Sequence, residues 1–270
     1  MSERDVIESS SEPITHDRIV DDLRQLGIST GDTLIVHSSL SKMGYVIGGA
    51  QTVVEALLKS IGPTGTLTMP GHSGALSEPS YWKNPPVPQD WWPIERATMP
   101  AFDPSLTPLR EMGVIPEMFQ RLPGVQRSNH PRTSHLAYGP LADIITSGHS
   151  LGDGLGEQSP LARLYECDAR VLLLGVPHAN NTSLHLAEYR AVWPSKTRTT
   201  QGSPILVDGQ RQWVTYEELE TCADDFDAIG NELATNQLQI SGLVGFAQSQ
   251  LMRQRVAVDF AVDWITRNRR

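Results

Sequence analysis

TLIVHSSLSKMGYVIGGAQTVVEALLKSIGPTGTLTMP, residues 33–70, is the stretch that decides the class of fold. Its ends are short apolar runs, Thr33-Leu34-Ile35-Val36-His37 and Thr66-Leu67-Thr68-Met69. Between them Val53, Val54, Leu57, Leu58 and Ile61 fall on one face of a helix. Gly48-Gly49 precedes that helix, Gly62-Pro63 stops it, and Pro70 closes the second run. Strand, helix and strand at this spacing form a βαβ unit, so the two strands are expected to be parallel.

Upstream, Ile19, Val20, Leu23 and Leu26 share a helical face, with Thr15 as N-cap and Gly27 as stop. The acidic start MSERDVIESSSEPITHD lacks the apolar core of a secretory signal and reads as a flexible lead-in over residues 1–14. Downstream, periodicity disappears from 71 to 113, where eight prolines lie between Pro79 and Pro108 together with Trp82, Trp91 and Trp92. So long an irregular excursion is either a functional lid or a proline-stapled packing loop. The α/β pattern then resumes: helix over 113–121, strand over 169–175, helix over 181–192. Ile205-Leu206-Val207, Asp208-Gly209 and Gln212-Trp213-Val214-Thr215 read as a hairpin with a type I′ turn. Helices over 216–229 and 248–267 are expected to close the chain. No repeat or linker interrupts it, so residues 1–270 read as one domain. The expected architecture is a layered α/β/α fold with a central, largely parallel or mixed sheet and a long Pro/Trp-rich loop.

Composition narrows the function. There is no 18-residue apolar stretch to cross a membrane. The two cysteines, Cys167 and Cys222, have no CxxC spacing, which fits free thiols in a reducing cytoplasm. Cys167 sits between Glu166 and Asp168, carboxylates that raise a thiol pKa, so it is not a nucleophile. A net charge of −9 argues against nucleic acid. It fits either simple solubility or a cleft that steers a polycation. GxGxxG and GK[ST] are absent, which disfavours dinucleotide folds and NTPases. The eight histidines, among them His72, His130, His135 and His178, match no zinc spacing, so no metal is expected.

Chemistry concentrates in NNTSLHLAEYRA, residues 180–191, which follows the apolar run Val171–Val176. Thr182, His185 and Glu188 stand three residues apart and so stack along one helical face. An imidazole beside a carboxylate is a base held in one tautomer, and a hydroxyl near a helix N-terminus can stabilise an oxyanion. HxxE alone equally describes a surface helix with an i,i+3 hydrogen bond. Its place after a strand favours a site, because open α/β sheets bind ligands beyond the carboxyl ends of their strands. By the same geometry His37-Ser38-Ser39-Leu40-Ser41-Lys42 borders a channel for a polar ligand. Gly48-Gly49 admits a phosphate or amide to the next helix start, or forms a simple turn.

Six blocks together resemble one family, the aminoglycoside 3-N-acetyltransferases: 37–58, GTLTMPGHSG (65–74), FDPSLTPLREMGVIPEMFQR (102–121), SNHPRTSHLAYG (128–139), SPLARLYECDARVLLLGV (159–176) and 180–191. They occur in the family's order; His135 departs from it, standing where the pattern has an aromatic or apolar residue. The resemblance implies direct transfer from acetyl-coenzyme A to the 3-amino group of an aminoglycoside. It implies His185 as base, with Glu188 and Thr182 beside it, and His37–Lys42 along the coenzyme. The acceptor's remaining ammonium groups then need carboxylates, for which Glu111, Asp224, Asp225 and Asp227 are candidates, with Tyr81 as a sugar platform. The alternatives are a biosynthetic N-acetyltransferase with another amine as acceptor, and a metal-dependent hydrolase.

Overall fold

The computed structural model describes residues 3–270. In the expected lead-in, Glu3–Ser9 forms helix α1, which has no buried residue, while Ile14 is fully buried and bridges to Val46. Residues 1 and 2 lie outside the described residues. Helix α2 (His16–Leu26) begins at Thr15, whose hydroxyl accepts from the Arg18 N–H, and ends at Gly27 in the left-handed region. Strand β1 (Thr33–Ser38), helix α3 (Gly49–Ile61) and strand β2 (Thr66–Pro70) form the βαβ unit, with Leu34 opposite Leu67 in a parallel ladder.

The excursion that follows contains a short helix, α4 (Trp92–Thr98), which Pro93 starts and which the proline density concealed. Then come α5 (Val114–Gln120), β3 (Gln126–Arg127), β4 (His135–Tyr138), α6 (Ala142–Thr146), α7 (Pro160–Glu166), β5 (Arg170–Leu174) and α8 (Ser183–Arg190). Strands β6 (Arg198–Val207) and β7 (Gln210–Leu219) form a separate two-stranded ribbon. Asp208 and Gly209 both have positive φ, 51° and 75°, as a type I′ turn requires.

The end of the chain differs from the sequence expectation. Residues 216–219 continue β7, and the helix there, α9, spans Phe226–Thr235. Instead of one helix over 248–267, β8 (Ile240–Val244) and β9 (Ala247–Arg253) precede α10 (Gln254–Asn268). The glutamates of Tyr216-Glu217-Glu218-Leu219 suit a helix by propensity, but cross-strand pairing with Arg198–Gln201 makes them strand.

The main sheet runs β3-β4-β2-β1-β5-β9-β8. Its centre, β2-β1-β5, is parallel and the flanking strands are antiparallel, so the sheet is mixed. Leu34, Val36, Leu172 and Leu174 enter one core with α2, α3 and α5. Ile35, Val171 and Leu173 enter the other with α7 to α10. Burial on both faces is what near-continuous apolar central strands demand. The long loop leaves these layers and packs on the β6–β7 ribbon. Leu76, Met99 and Phe102 form a satellite core there with Trp82 and Trp213, and Phe102 N–H donates to Pro204 O at 2.9 Å. Among the described residues no helix is long and apolar enough to cross a membrane.

Candidate active site

Strand β5 ends at Leu174, and the chain turns through His178–Asn180 before Thr182 takes the N-cap position of α8. Leu184, Leu186 and Ala187 anchor that helix in the core. The His185 Nδ1–H donates to Glu188 Oε2 at 2.5 Å, one turn along the helix. That bond fixes the tautomer and leaves the Nε2 lone pair free. Glu188 is fully buried, and its second oxygen accepts from Arg269 Nη1 at 2.5 Å and from the Cys222 N–H at 2.9 Å. Phe226 packs against the imidazole, with ring centroids 4.9 Å apart.

His185 and Thr182 line a cavity of about 350 Å³ with His37, Ser38, His72 and Glu111, a size suited to a small-molecule site. Among the described residues the Thr182 hydroxyl makes no capping bond. Val176 is shared with a second cavity, of about 390 Å³, bordered by Lys42, Pro177 and Phe246. His72, Glu111 and Met112 are shared with a third, of about 460 Å³, which Tyr81, Lys83, Arg110 and Arg132 border. Tyr81, Lys83 and Arg132 in turn border a fourth, of about 270 Å³, with Glu218 and Glu220. Neighbouring cavities in this series share lining residues, and His185 lines the one that shares residues with both the second and the third.

Burial keeps the surrounding imidazoles neutral. His37 is held down to about 3 and His135 to about 4, and His72 also lies well below its ordinary value; loss of hydration is the chief cause in each. The Nε2 atoms of His37, His72 and His135 are buried without a protein partner, as are Ser38 Oγ and Thr68 Oγ1. His37 and His135 stand at the level of Pro70, on strands either side of it, at the carboxyl ends of β1 and β2. At the Tyr81 end Glu218 is buried and bonded to Arg132. Burial raises the Glu218 carboxyl above its usual value even so.

The residues singled out in the sequence divide into three groups. Thr182, His185, His37, Ser38 and Glu111 meet in the central cavity and Lys42 borders the second. Glu111 holds a left-handed backbone, φ 61°, an uncommon conformation for a side-chain-bearing residue. Tyr81 borders the third and fourth cavities, its hydroxyl 2.9 Å from Thr199 Oγ1. The second group lies apart from these walls. Ser39 and Ser41 pair hydroxyls at 3.3 Å, Leu40 packs on the core, and Gly48-Gly49 starts α3. The third group lies behind the dyad. Asp225 bonds Arg269, Asp227 accepts from the Ala179 N–H at 2.9 Å, and Asp224 is exposed on the link before α9, not on a helix over 216–229. Sequence reasoning missed Arg269, Arg132 and Glu218. Each acts through a partner more than 80 positions away, and no local pattern carries that signal.

The sequence profile described as aminoglycoside 3-N-acetyltransferase matches residues 35–266. The chain is 44% identical over 264 residues to the SPbeta prophage-derived aminoglycoside N(3')-acetyltransferase-like protein YokD of Bacillus subtilis, covering 97% of this chain and 96% of that one. It is 36% identical to aminoglycoside N(3)-acetyltransferase VIII of Streptomyces fradiae, covering 98% and 96%. The YokD crystal structure superposes with a TM-score of 0.96 at 43% identity, covering 98% of both chains. AAC-IIIb in binary complex with CoASH gives 0.85 at 33% identity, covering 94% of this chain and 97% of that one. AAC-VIa bound to sisomicin gives 0.85 at 32%, covering 94% and 98%.

Proposed function

Because the chain belongs to the aminoglycoside 3-N-acetyltransferase family, we propose that it moves the acetyl group of acetyl-coenzyme A onto the 3-amino group of a 2-deoxystreptamine ring. One observation carries the mechanism: His185 is pinned through Nδ1 to buried Glu188 and lines the central cavity. An ammonium cannot attack a thioester, so one proton leaves to solvent before attack. The amine nitrogen then bonds to the thioester carbon as His185 Nε2 takes its second proton, a function for which an imidazole of ordinary pKa roughly 6.5 is suited. Thr182 and the start of α8 receive the developing oxyanion. The C–S bond breaks, and His185 returns its proton to the thiolate. No acyl-enzyme forms.

Coenzyme A bound to AAC-IIIb and sisomicin bound to AAC-VIa support the two-substrate reading. We assign the donor to the Lys42 end and the acceptor to the Tyr81 end, and the site of action to the cytoplasm. One observation favours a different amine as acceptor. Lys83, Arg110 and Arg132 border the third cavity, where Glu111 is the one carboxylate. Thiol release with a panel of aminoglycosides and simple amines, followed by mapping of the acetylated nitrogen, tests the proposal. Release with aminoglycosides and acetylation at the 3-amino group are expected; turnover with simple amines alone would overturn the aminoglycoside assignment. Acetyl-coenzyme A should also raise the melting temperature by mass action, and Lys42→Ala should shrink that rise. An unchanged melt at saturating acetyl-coenzyme A would remove the donor assignment.

A further inference from the structure

Glu188 has both oxygens committed, and the only cation bonded to it among the described residues comes from beyond α10, 81 positions along the chain. Every nitrogen of that guanidinium is engaged. Arg269 Nη1 donates to Glu188, Nη2 donates to Cys222 O at 2.8 Å and Asp225 Oδ1 at 2.6 Å, and Nε donates to Asp225 Oδ2 at 2.6 Å. The Trp193 ring lies 5.2 Å beneath. The Arg269 side chain is 13% exposed, so these bonds are not a loose surface pairing.

A buried carboxylate without a competing cation grips a neighbouring imidazolium more tightly. We propose that Arg269 is a positioning residue for the acid–base pair, holding Glu188 in one orientation and setting how tightly His185 keeps the proton taken from the amine. This inference rests on the reading of His185 as base.

The other charged or titratable groups around the pair do not supply that charge. Lys196 has its ammonium on the carbonyls of Tyr189 and Ala191. Around the pair stand His37 and His72 on the cavity wall, His178 in the turn before α8 and Glu111 on the cavity wall, with Cys222, Asp224 and Asp225 beside Arg269. Burial keeps the first three neutral. Arg269 therefore faces two carboxylates, Glu188 and Asp225, and divides its charge between them.

The test is the pH profile of kcat/KM for the full chain and for Arg269→Ala, Arg269→Lys, Asp225→Asn and His185→Ala, with melting temperatures for all. Arg269→Ala should lose about 10- to 100-fold at pH 7 and move the acidic limb upward by on the order of one pH unit, because a bare Glu188 holds the imidazolium more tightly. Arg269→Lys should restore most of the activity and of the limb. Asp225→Asn should move the limb downward, since Arg269 then acts on Glu188 alone. A folded Arg269→Ala that keeps wild-type activity, or loses the same factor at every pH, overturns the inference. If Arg269→Ala does not fold, an unmoved limb in Asp225→Asn overturns it. Should His185→Ala itself turn over normally, the base reading falls and this inference with it. Loss in His185→Ala with no shift in the others removes this inference alone.

Discussion

His185 and Glu188 are three residues apart, yet what they can do is decided by groups remote in sequence. His185→Ala should lower kcat by about 10²–10⁴, the usual contribution of a positioned base, with the coenzyme-induced melting shift retained. Near-normal turnover at neutral pH would remove the assignment. Glu188→Gln should cost less and move the acidic limb downward, since a neutral amide no longer favours the imidazolium; an upward shift would contradict that sign. The dyad was legible because helical periodicity is local: a three-residue spacing after an apolar strand places two side chains on one face. Arg269, Arg132 and the Cys222 N–H were not legible, because their bonds join positions that tertiary folding alone brings together. Asp225 shows the complementary error. A run of aspartates reads as a cation cradle, and Asp225 does hold a cation, but it is the protein's own arginine.

Between β5 and α8 the chain is placed by helix α9, through one close approach. A Cβ built on Gly230 would lie 2.2 Å from the His178 ring, and His178 begins the turn that leads to Thr182. Two effects compete in Gly230→Ala. Helix propensity favours alanine by about 1 kcal/mol, while overpacking a filled site costs about 1–3 kcal/mol. His178 is tied to Gln239 at 2.9 Å and cannot swing freely, so the variant should be destabilised by about 1–2 kcal/mol in urea unfolding, with kcat falling as well. A stabilised, fully active variant would show that the ring moves aside. The same region shows where element reading works. The βαβ unit, α5 and the type I′ turn follow from period and turn chemistry, whereas β9 escaped because its start, Ala247-Gln248-Ser249-Gln250, has neither β-branched residues nor a sustained apolar alternation.

For the molecule as a whole, the layered mixed sheet was readable from one central unit, because apolar runs buried on both faces leave few other arrangements. Its acid sensitivity follows from the histidines. His37, His130 and His135 are neutral in the fold, held down to about 3, 3 and 4 by burial. Unfolded, each takes a proton below roughly pH 6.5. Between those limits the unfolded chain binds more protons, so the stability is intact above about 6.5 and lost as pH falls toward 4. Each histidine contributes at most about 1.4 kcal/mol per pH unit. The melting temperature should therefore drop steeply from pH 7 to 5, and His135→Phe should flatten that slope; an equal slope in the variant would exclude His135 as a contributor. The net charge of −9 makes a second demand. If it steers a polycationic acceptor, the acceptor KM should rise with ionic strength, since screening acts over about 8–10 Å at physiological salt, while the KM of the anionic coenzyme responds differently. A salt-independent acceptor KM would leave the charge a solubility feature. The ribbon and the proline-rich loop have one more consequence. The His185–Glu188 pair follows a strand of the main sheet, but Tyr81, Lys83, Gln201 and Glu218 at the far cavities belong to segments outside it. On the proposed reading, exchanges in those two appendages would alter which amines are admitted and leave the His185–Glu188 pair on its sheet as it is.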